Sequence, residues 1–132
     1  MTRVLVDTNV YCDAMRGQAG AVTVLRQADE LLLCPIILGE LLAGFRKGER
    51  EAGNRAVLRD FLARPRVRVV PLTAATAEFY AHILAGLRAS GTPIPTNDIW
   101  IAACAMEHGA SLATSDRHFA SVPGLQCLSL PA

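Results

Sequence analysis

Short apolar runs alternate with segments of helical period along almost the whole chain, and that alternation narrows the available folds more than any other property. Val4-Leu5-Val6 reads as a buried strand ending at Asp7. After the cap-forming Asp7-Thr8-Asn9, a helix is expected from about Val10 to Arg16, and helical character resumes over Ala21–Ala28 once Gly17 and Gly20 have broken it. Leu31–Cys34 is a second strand. Pro35 then opens a helix whose Ile37, Leu38, Leu41, Leu42 and Phe45 form one apolar face. Gly48 and Gly53 bracket a turn before a basic amphipathic helix with Val57, Leu58, Phe61 and Leu62 turned inward. Arg66–Val70 alternates charged and apolar residues as a third strand, and Ala74–Arg88 is a helix with Ala77, Tyr80, Ile83, Leu84 and Leu87 on one face. A loop with two prolines over 89–96 precedes a helix capped by Thr96 or Asn97 and ended by Gly109. Ser111–Thr114 and Gln126–Leu130 read as fourth and fifth strands. Strands and helices spaced in this way imply an α/β domain with a mostly parallel, helix-covered sheet.

The 132 residues suit one domain, 1–132, and the 52% hydrophobic content supplies a sizeable core. No apolar run approaches the ~20 residues of a membrane span. Met1-Thr2-Arg3 leads straight into a strand, with neither an apolar leader nor a cleavage site, so a cytoplasmic location is expected. The four cysteines, Cys12, Cys34, Cys104 and Cys127, form no C-x-x-C pair and are expected to be buried, reduced thiols, the last three within apolar stretches. The net charge of +1 conceals an asymmetry: 46–68 carries a balance of +5 and the remainder −4. The basic stretch is either a solvated helix face or a phosphate-tracking patch beside an acidic centre.

That acidic centre would comprise four carboxylates. Asp7 closes the first strand, Glu40 lies just inside the helix after the second, and Asp116 follows the fourth. In a parallel sheet all three emerge at the edge where the strands end, which is where ligands bind in such folds. Asp98 opens the crossover helix that runs back to the start of strand four, so its end of that helix must lie at the same edge. Each acid has a plainer reading. Asp7 and Asp116 can cap turns, and Asp98 can be a first-turn acid favoured by the helix dipole. Glu40 resists such a reading, because no other charge stands between Leu31 and Phe45, and an unpaired carboxylate in apolar surroundings is costly.

Four ionised carboxylates on one rim repel one another and force protonation unless a cation intervenes. Arg117 is the one obvious balancing side chain nearby. Carboxylates without His or Cys partners suit Mg²⁺ or Mn²⁺ rather than zinc, and such a site acts on phosphodiesters by polarising the phosphoryl oxygen and activating a water. Thr8 and Ser115 can either hold a metal-bound water or phosphate oxygen or simply cap helices, and Asn9 is a further supporting candidate beside Asp7. His118, two residues beyond Asp116, is either a further residue of the pocket or structural, whereas His82 and His108 read as structural. Trp100 reads as core or dimer interface.

The segments Val6-Asp7-Thr8-Asn9-Val10, Leu38-Gly39-Glu40-Leu41-Leu42-Ala43-Gly44, Asn97-Asp98-Ile99-Trp100-Ile101-Ala102-Ala103 and Leu112-Ala113-Thr114-Ser115-Asp116-Arg117-His118-Phe119 resemble the successive motifs of PIN-domain nucleases, the VapC-type toxins of type II toxin–antitoxin systems above all. The likeness runs in order from Val4 to Leu130. It implies a single PIN-like domain with a central parallel sheet of about five strands and endonucleolytic, Mg²⁺- or Mn²⁺-dependent cleavage of RNA. Asp7 and Asp98 would be the principal metal ligands, with Glu40 and Asp116 completing the set directly or through water. The resemblance also implies a homodimer, a larger assembly with a VapB-like protein antitoxin, and inhibition by an antitoxin segment lying over the pocket. The apolar face of the Ile37–Phe45 helix is a candidate groove for that segment or ordinary core. Arg46, Lys47, Arg50, Arg55, Arg59 and Arg117 are candidates to track the RNA backbone.

Two other classes compete. A catalytically inactive PIN-like RNA-binding or scaffold protein would be expected to have lost an acid, and none of the four is missing. A phosphoryl-transfer domain fits less well. A receiver needs a lysine near its end, where Lys47 is the only lysine, and a haloacid-dehalogenase-like phosphatase needs an acid where Asn9 stands.

Overall fold

The computed structural model describes residues 1–131. Five parallel strands, β1 (Arg3–Val6), β2 (Glu30–Leu33), β3 (Val67–Val69), β4 (Ser111–Ala113) and β5 (Cys127–Leu128), form one sheet in the order β3-β2-β1-β4-β5. Helices α1 (Thr8–Met15), α2 (Ala19–Gln27), α3 (Pro35–Lys47), α4 (Glu51–Leu62), α5 (Ala74–Ser90) and α6 (Thr96–Glu107) make the crossovers, and a 3₁₀ turn spans Arg117–Ser121.

The central strands are buried on both faces, and their sequences say why. Leu5, Val6, Leu32, Leu33, Leu112 and Ala113 are each 0% exposed, so these strands are continuously apolar instead of alternating. α6 carries a run with no polar side chain, Ile101 to Ala105, every residue of it fully buried. Its small side chains let the helix lie close against the sheet. α3 starts with Pro35 in the first helical position, where a missing N–H leaves no bond unmade. α5 stops at Gly91, whose φ of 68° is the left-handed conformation that glycine adopts without strain.

Several expectations need correction. α4 begins at Glu51, so Gly53 sits inside it instead of ending a turn, and Val57 is exposed while Leu58 and Phe61 are buried. On α5 the inward side is Thr76, Ile83 and Leu87; Ala77 faces out. Periodicity misses Thr76 because it is polar, yet its hydroxyl donates to Glu107 Oε1 at 2.6 Å and so enters the core satisfied. The cap of α6 is Pro95, which leaves Thr96 and Asn97 in the first turn. Cys34 and Cys104 are buried free thiols as expected, but Cys127 lies exposed on the edge strand β5. No helix among the described residues is long and apolar enough to cross a membrane.

Candidate functional site

The strand order reverses direction at β1, with β2 on one side and β4 on the other, and the crevice beyond these strand ends is where a parallel α/β sheet builds its site. Asp7 occupies that crevice. It is the N-cap of α1, accepting from Thr8 N at 2.8 Å, and its own N–H donates to Ala113 O on β4 at 3.0 Å. Thr114 Oγ1, just past the end of β4, donates to Asp7 Oδ2 at 2.6 Å. Asp7 is therefore held by both strands at the switch point and is only 5% exposed.

The other three acids arrive from separate elements. Glu40, in the second turn of α3, accepts from Thr8 Oγ1 at 2.7 Å and from Asn97 Nδ2 at 3.3 Å. Asp98 stands in the first turn of α6, and Asp116 caps the 3₁₀ turn, accepting from His118 N at 3.0 Å. Asp116 N in turn donates to Thr114 Oγ1 at 3.0 Å, so one threonine hydroxyl links Asp7 to Asp116. All four carboxylates line one open cleft of about 490 Å³, together with Thr8, Asn9, Ala43, Gly44 and Lys47. Asp7, Asp98 and Asp116 each sit at a helix start, where unpaired N–H groups and the helix dipole favour negative charge.

The electrostatics are those of a site short of positive charge. Burial pushes the Asp7 carboxyl above its ordinary range and the charges of Glu40 and Asp98 push the same way, against the hydrogen bonds from Thr114 and Thr8. Burial likewise raises Asp98, with Asp116 and Glu40 adding repulsion and the His118 hydrogen bond opposing. An oxygen-rich donor set held together against its own repulsion fits a divalent cation, whose charge offsets the penalty on Asp7 and Asp98.

The supporting residues divide. Thr8 bridges Asp7 and Glu40. Asn9 ties α1 to the β4 loop, its Nδ2 donating to Asp7 Oδ2 at 3.4 Å and its Oδ1 accepting from Ser115 N at 3.2 Å. Ser115 itself is exposed, and its backbone makes that contact. Arg117, expected to balance the acids, is exposed and does not line the cleft. His118 stands at the rim instead, with Nδ1 3.1 Å from both Asp98 and Asp116. Thr114 carries no signal of this role in the sequence, because a threonine at a strand end looks like any β-former; its partner lies 107 residues away.

Of the basic candidates, Lys47 lines the acidic cleft and Arg50 lines a neighbouring groove. Arg46 and Arg55 lie near Glu51, and Arg59 near Asp60. Arg66, within the same stretch, is structural: its guanidinium donates to Leu25 O and Ala28 O at 2.7 Å and closes the end of α2. The neighbouring groove, about 520 Å³ between α1, α3 and α4, shares Thr8, Glu40 and Gly44 with the acidic cleft and adds Tyr11, Met15, Leu41, Phe45 and Val57. Ile37 and Leu41 are core, so the apolar groove is made by several helices and not by the face of α3 alone. Trp100 stacks on Tyr80 at 4.2 Å between α6 and α5.

Fold and cleft together define a class: a parallel α/β domain carrying an acidic rim at the switch point of its sheet. The PIN domain family model matches residues 4–125, and the chain belongs to that family. It is 28% identical over 137 residues to Ribonuclease VapC4 of Mycobacterium tuberculosis, with 97% of each chain covered. It is also 28% identical to the tRNA(fMet)-specific endonuclease VapC of Shigella flexneri, with 96% of each covered. Among solved structures, a chain of VapBC2 from Rickettsia felis bound to a promoter DNA fragment superposes with a TM-score of 0.88 at 23% identity, covering 98% of this chain and all of the other.

Proposed function

We propose that this chain is a metal-dependent endoribonuclease, the toxin of a type II toxin–antitoxin pair, with Asp7, Glu40, Asp98 and Asp116 as its cation-binding set. The observation that carries the reading is the convergence of four carboxylates from four separate elements on one cleft rim, with the most buried of them at the switch point. Relatives named as ribonucleases along nearly the whole chain support RNA as the substrate. Asp7 and Asp98 would hold the cation, and Glu40 and Asp116 would complete its surroundings directly or through water. A bound Mg²⁺ or Mn²⁺ supplies Lewis-acid stabilisation of the phosphodiester and a water of lowered pKa.

The protein's own groups orient this chemistry. Thr114 and Thr8 fix the Asp7 carboxylate from two sides, and Thr8 and Asn97 fix Glu40. Lys47, on the cleft wall, offers a charge for a flanking phosphate. Arg46, Arg50, Arg55 and Arg59 would extend that path along α3 and α4. An inactive scaffold reading has no support in the site, which keeps every acid.

The partner would be a VapB-like antitoxin whose segment enters the groove between α1, α3 and α4 and reaches the acidic cleft with a basic side chain, competing with the cation. VapBC complexes among the fold's neighbours support that pairing. The toxin would act as a homodimer in the cytoplasm. The decisive experiment incubates purified protein with total RNA. Cleavage should require Mg²⁺ or Mn²⁺, stop in EDTA, and be absent in Asp7→Asn. Full activity in excess EDTA would overturn the proposal.

A further inference from the structure

The mechanism proposed above gives His118 no task, yet it is the basic side chain that pairs with the acidic rim among the described residues. The side chain is about half exposed, while its Nδ1 lies 3.1 Å from Asp98 Oδ2 and 3.1 Å from Asp116 Oδ1. One ligand atom from each of Asp98, Asp116 and His118 falls within 4.8 Å of the other two. The ring is not on a loose tether. The His118 N–H donates to Asp116 Oδ1 at 3.0 Å, and Phe119, the next residue, is 1% exposed and anchors the 3₁₀ turn in the core.

A surface counter-ion needs contact with one carboxylate. This nitrogen sits equidistant from two, on two different elements. In an octahedral shell with bonds of ~2.1 Å, neighbouring ligand atoms are separated by about 3.0 Å. The two observed spacings are close to that edge, and the two carboxylates offer oxygens within 4.8 Å of each other, so the three groups already face one small space. With its proton on Nε2, the ring presents a lone pair at Nδ1. Mg²⁺ strongly prefers oxygen, whereas Mn²⁺, the first member of the Irving–Williams series, binds carboxylate and also accepts an imidazole nitrogen more readily.

We infer that His118 is a ligand-forming residue of the cleft: its Nδ1 joins Asp98 and Asp116 on the bound cation and biases the site toward Mn²⁺ over Mg²⁺. The inference rests on the cation site proposed above, and its test separates the two. Mn²⁺ alone is added to the full chain, to His118→Ala and to Asp98→Asn. Loss of the free-ion signal in electron paramagnetic resonance measures binding, and electron spin echo modulation reads directly bound ¹⁴N.

Wild type should bind Mn²⁺ and show the nitrogen modulation. His118→Ala should lose the modulation, with Mn²⁺ affinity falling about tenfold or more and competing Mg²⁺ falling about threefold or less. Mn²⁺ bound by wild type without nitrogen modulation, and released in Asp98→Asn, overturns the role of His118 and leaves the carboxylate site standing. Modulation that persists in His118→Ala overturns it as well. If wild type fails to bind Mn²⁺, or Asp98→Asn binds it undiminished, the cation site itself falls and the inference with it. Absence of nitrogen modulation in the wild-type spectrum overturns the role of His118 with no variant needed, so the inference stays falsifiable even if a substitution perturbs folding.

Discussion

Thr114 Oγ1 donates a 2.6 Å hydrogen bond to Asp7 Oδ2 across the seam between β4 and β1, and the same oxygen accepts from Asp116 N at 3.0 Å. A neutral hydroxyl thus ties the Asp7 carboxylate to the backbone of Asp116. Thr114→Val keeps the shape and removes the bond. Cleavage should fall about 10- to 100-fold through weaker metal affinity, with stability lower by about 1–3 kcal/mol. Thr114→Ser should restore most of both, as steady-state kinetics across a metal titration and urea unfolding will report.

Asp7 is buried among like charges, so neutralising it should trade activity for stability. Asp7→Asn keeps one oxygen to accept from Thr8 N, and its Nδ2 then faces the Thr114 hydroxyl, which can turn to accept. Its cleavage rate should drop below about a hundredth of wild type, while the metal-free protein gains about 1 kcal/mol. Calorimetry in EDTA should show the higher Tm, and the rise in Tm that Mn²⁺ gives wild type should shrink or vanish.

The raised carboxyls of Asp7 and Asp98 carry a signed consequence for pH. A group whose folded value lies above its ordinary 3.8 holds its proton longer in the folded chain, so the folded state binds more protons across that interval. Their stabilising contribution is therefore complete below pH 3.8 and is lost as pH climbs through the raised folded values. In EDTA the stability of wild type relative to Asp7→Asn should decline over that interval and then level off. Protection by metal should grow over the same range, since the ligands must be deprotonated.

Two cations of the basic stretch should separate cleanly. Lys47→Ala removes the charge on the cleft wall, so RNA binding should weaken and the slope of log affinity against log salt should flatten by about 0.7. Arg66→Ala should leave that slope alone but destabilise the protein by about 1.5–3 kcal/mol, because two carbonyls at the end of α2 lose a charged donor. Fluorescence anisotropy at several salt concentrations and thermal unfolding distinguish them.

The order of elements, the parallel sheet and the identity of the four acids were all legible in the chain itself. Buried parallel strands write themselves as unbroken apolar runs, as at Leu31-Leu32-Leu33, and strand ends mark one edge, so Asp7, Glu40 and Asp116 fall together by topology. What the chain could not display were pairings between distant polar groups. Nothing in Thr114 or His118 as residue types says that one holds Asp7 and the other bridges Asp98 and Asp116, nor that Arg117 points away while Arg66 caps α2. Periodicity records burial, which one residue type can reveal, whereas a hydrogen bond depends on the direction and separation of two groups brought together only when the helices pack. The sequence alone therefore determined which charges crowd the cleft, and the tertiary structure decided which neutral and basic side chains hold those charges in place.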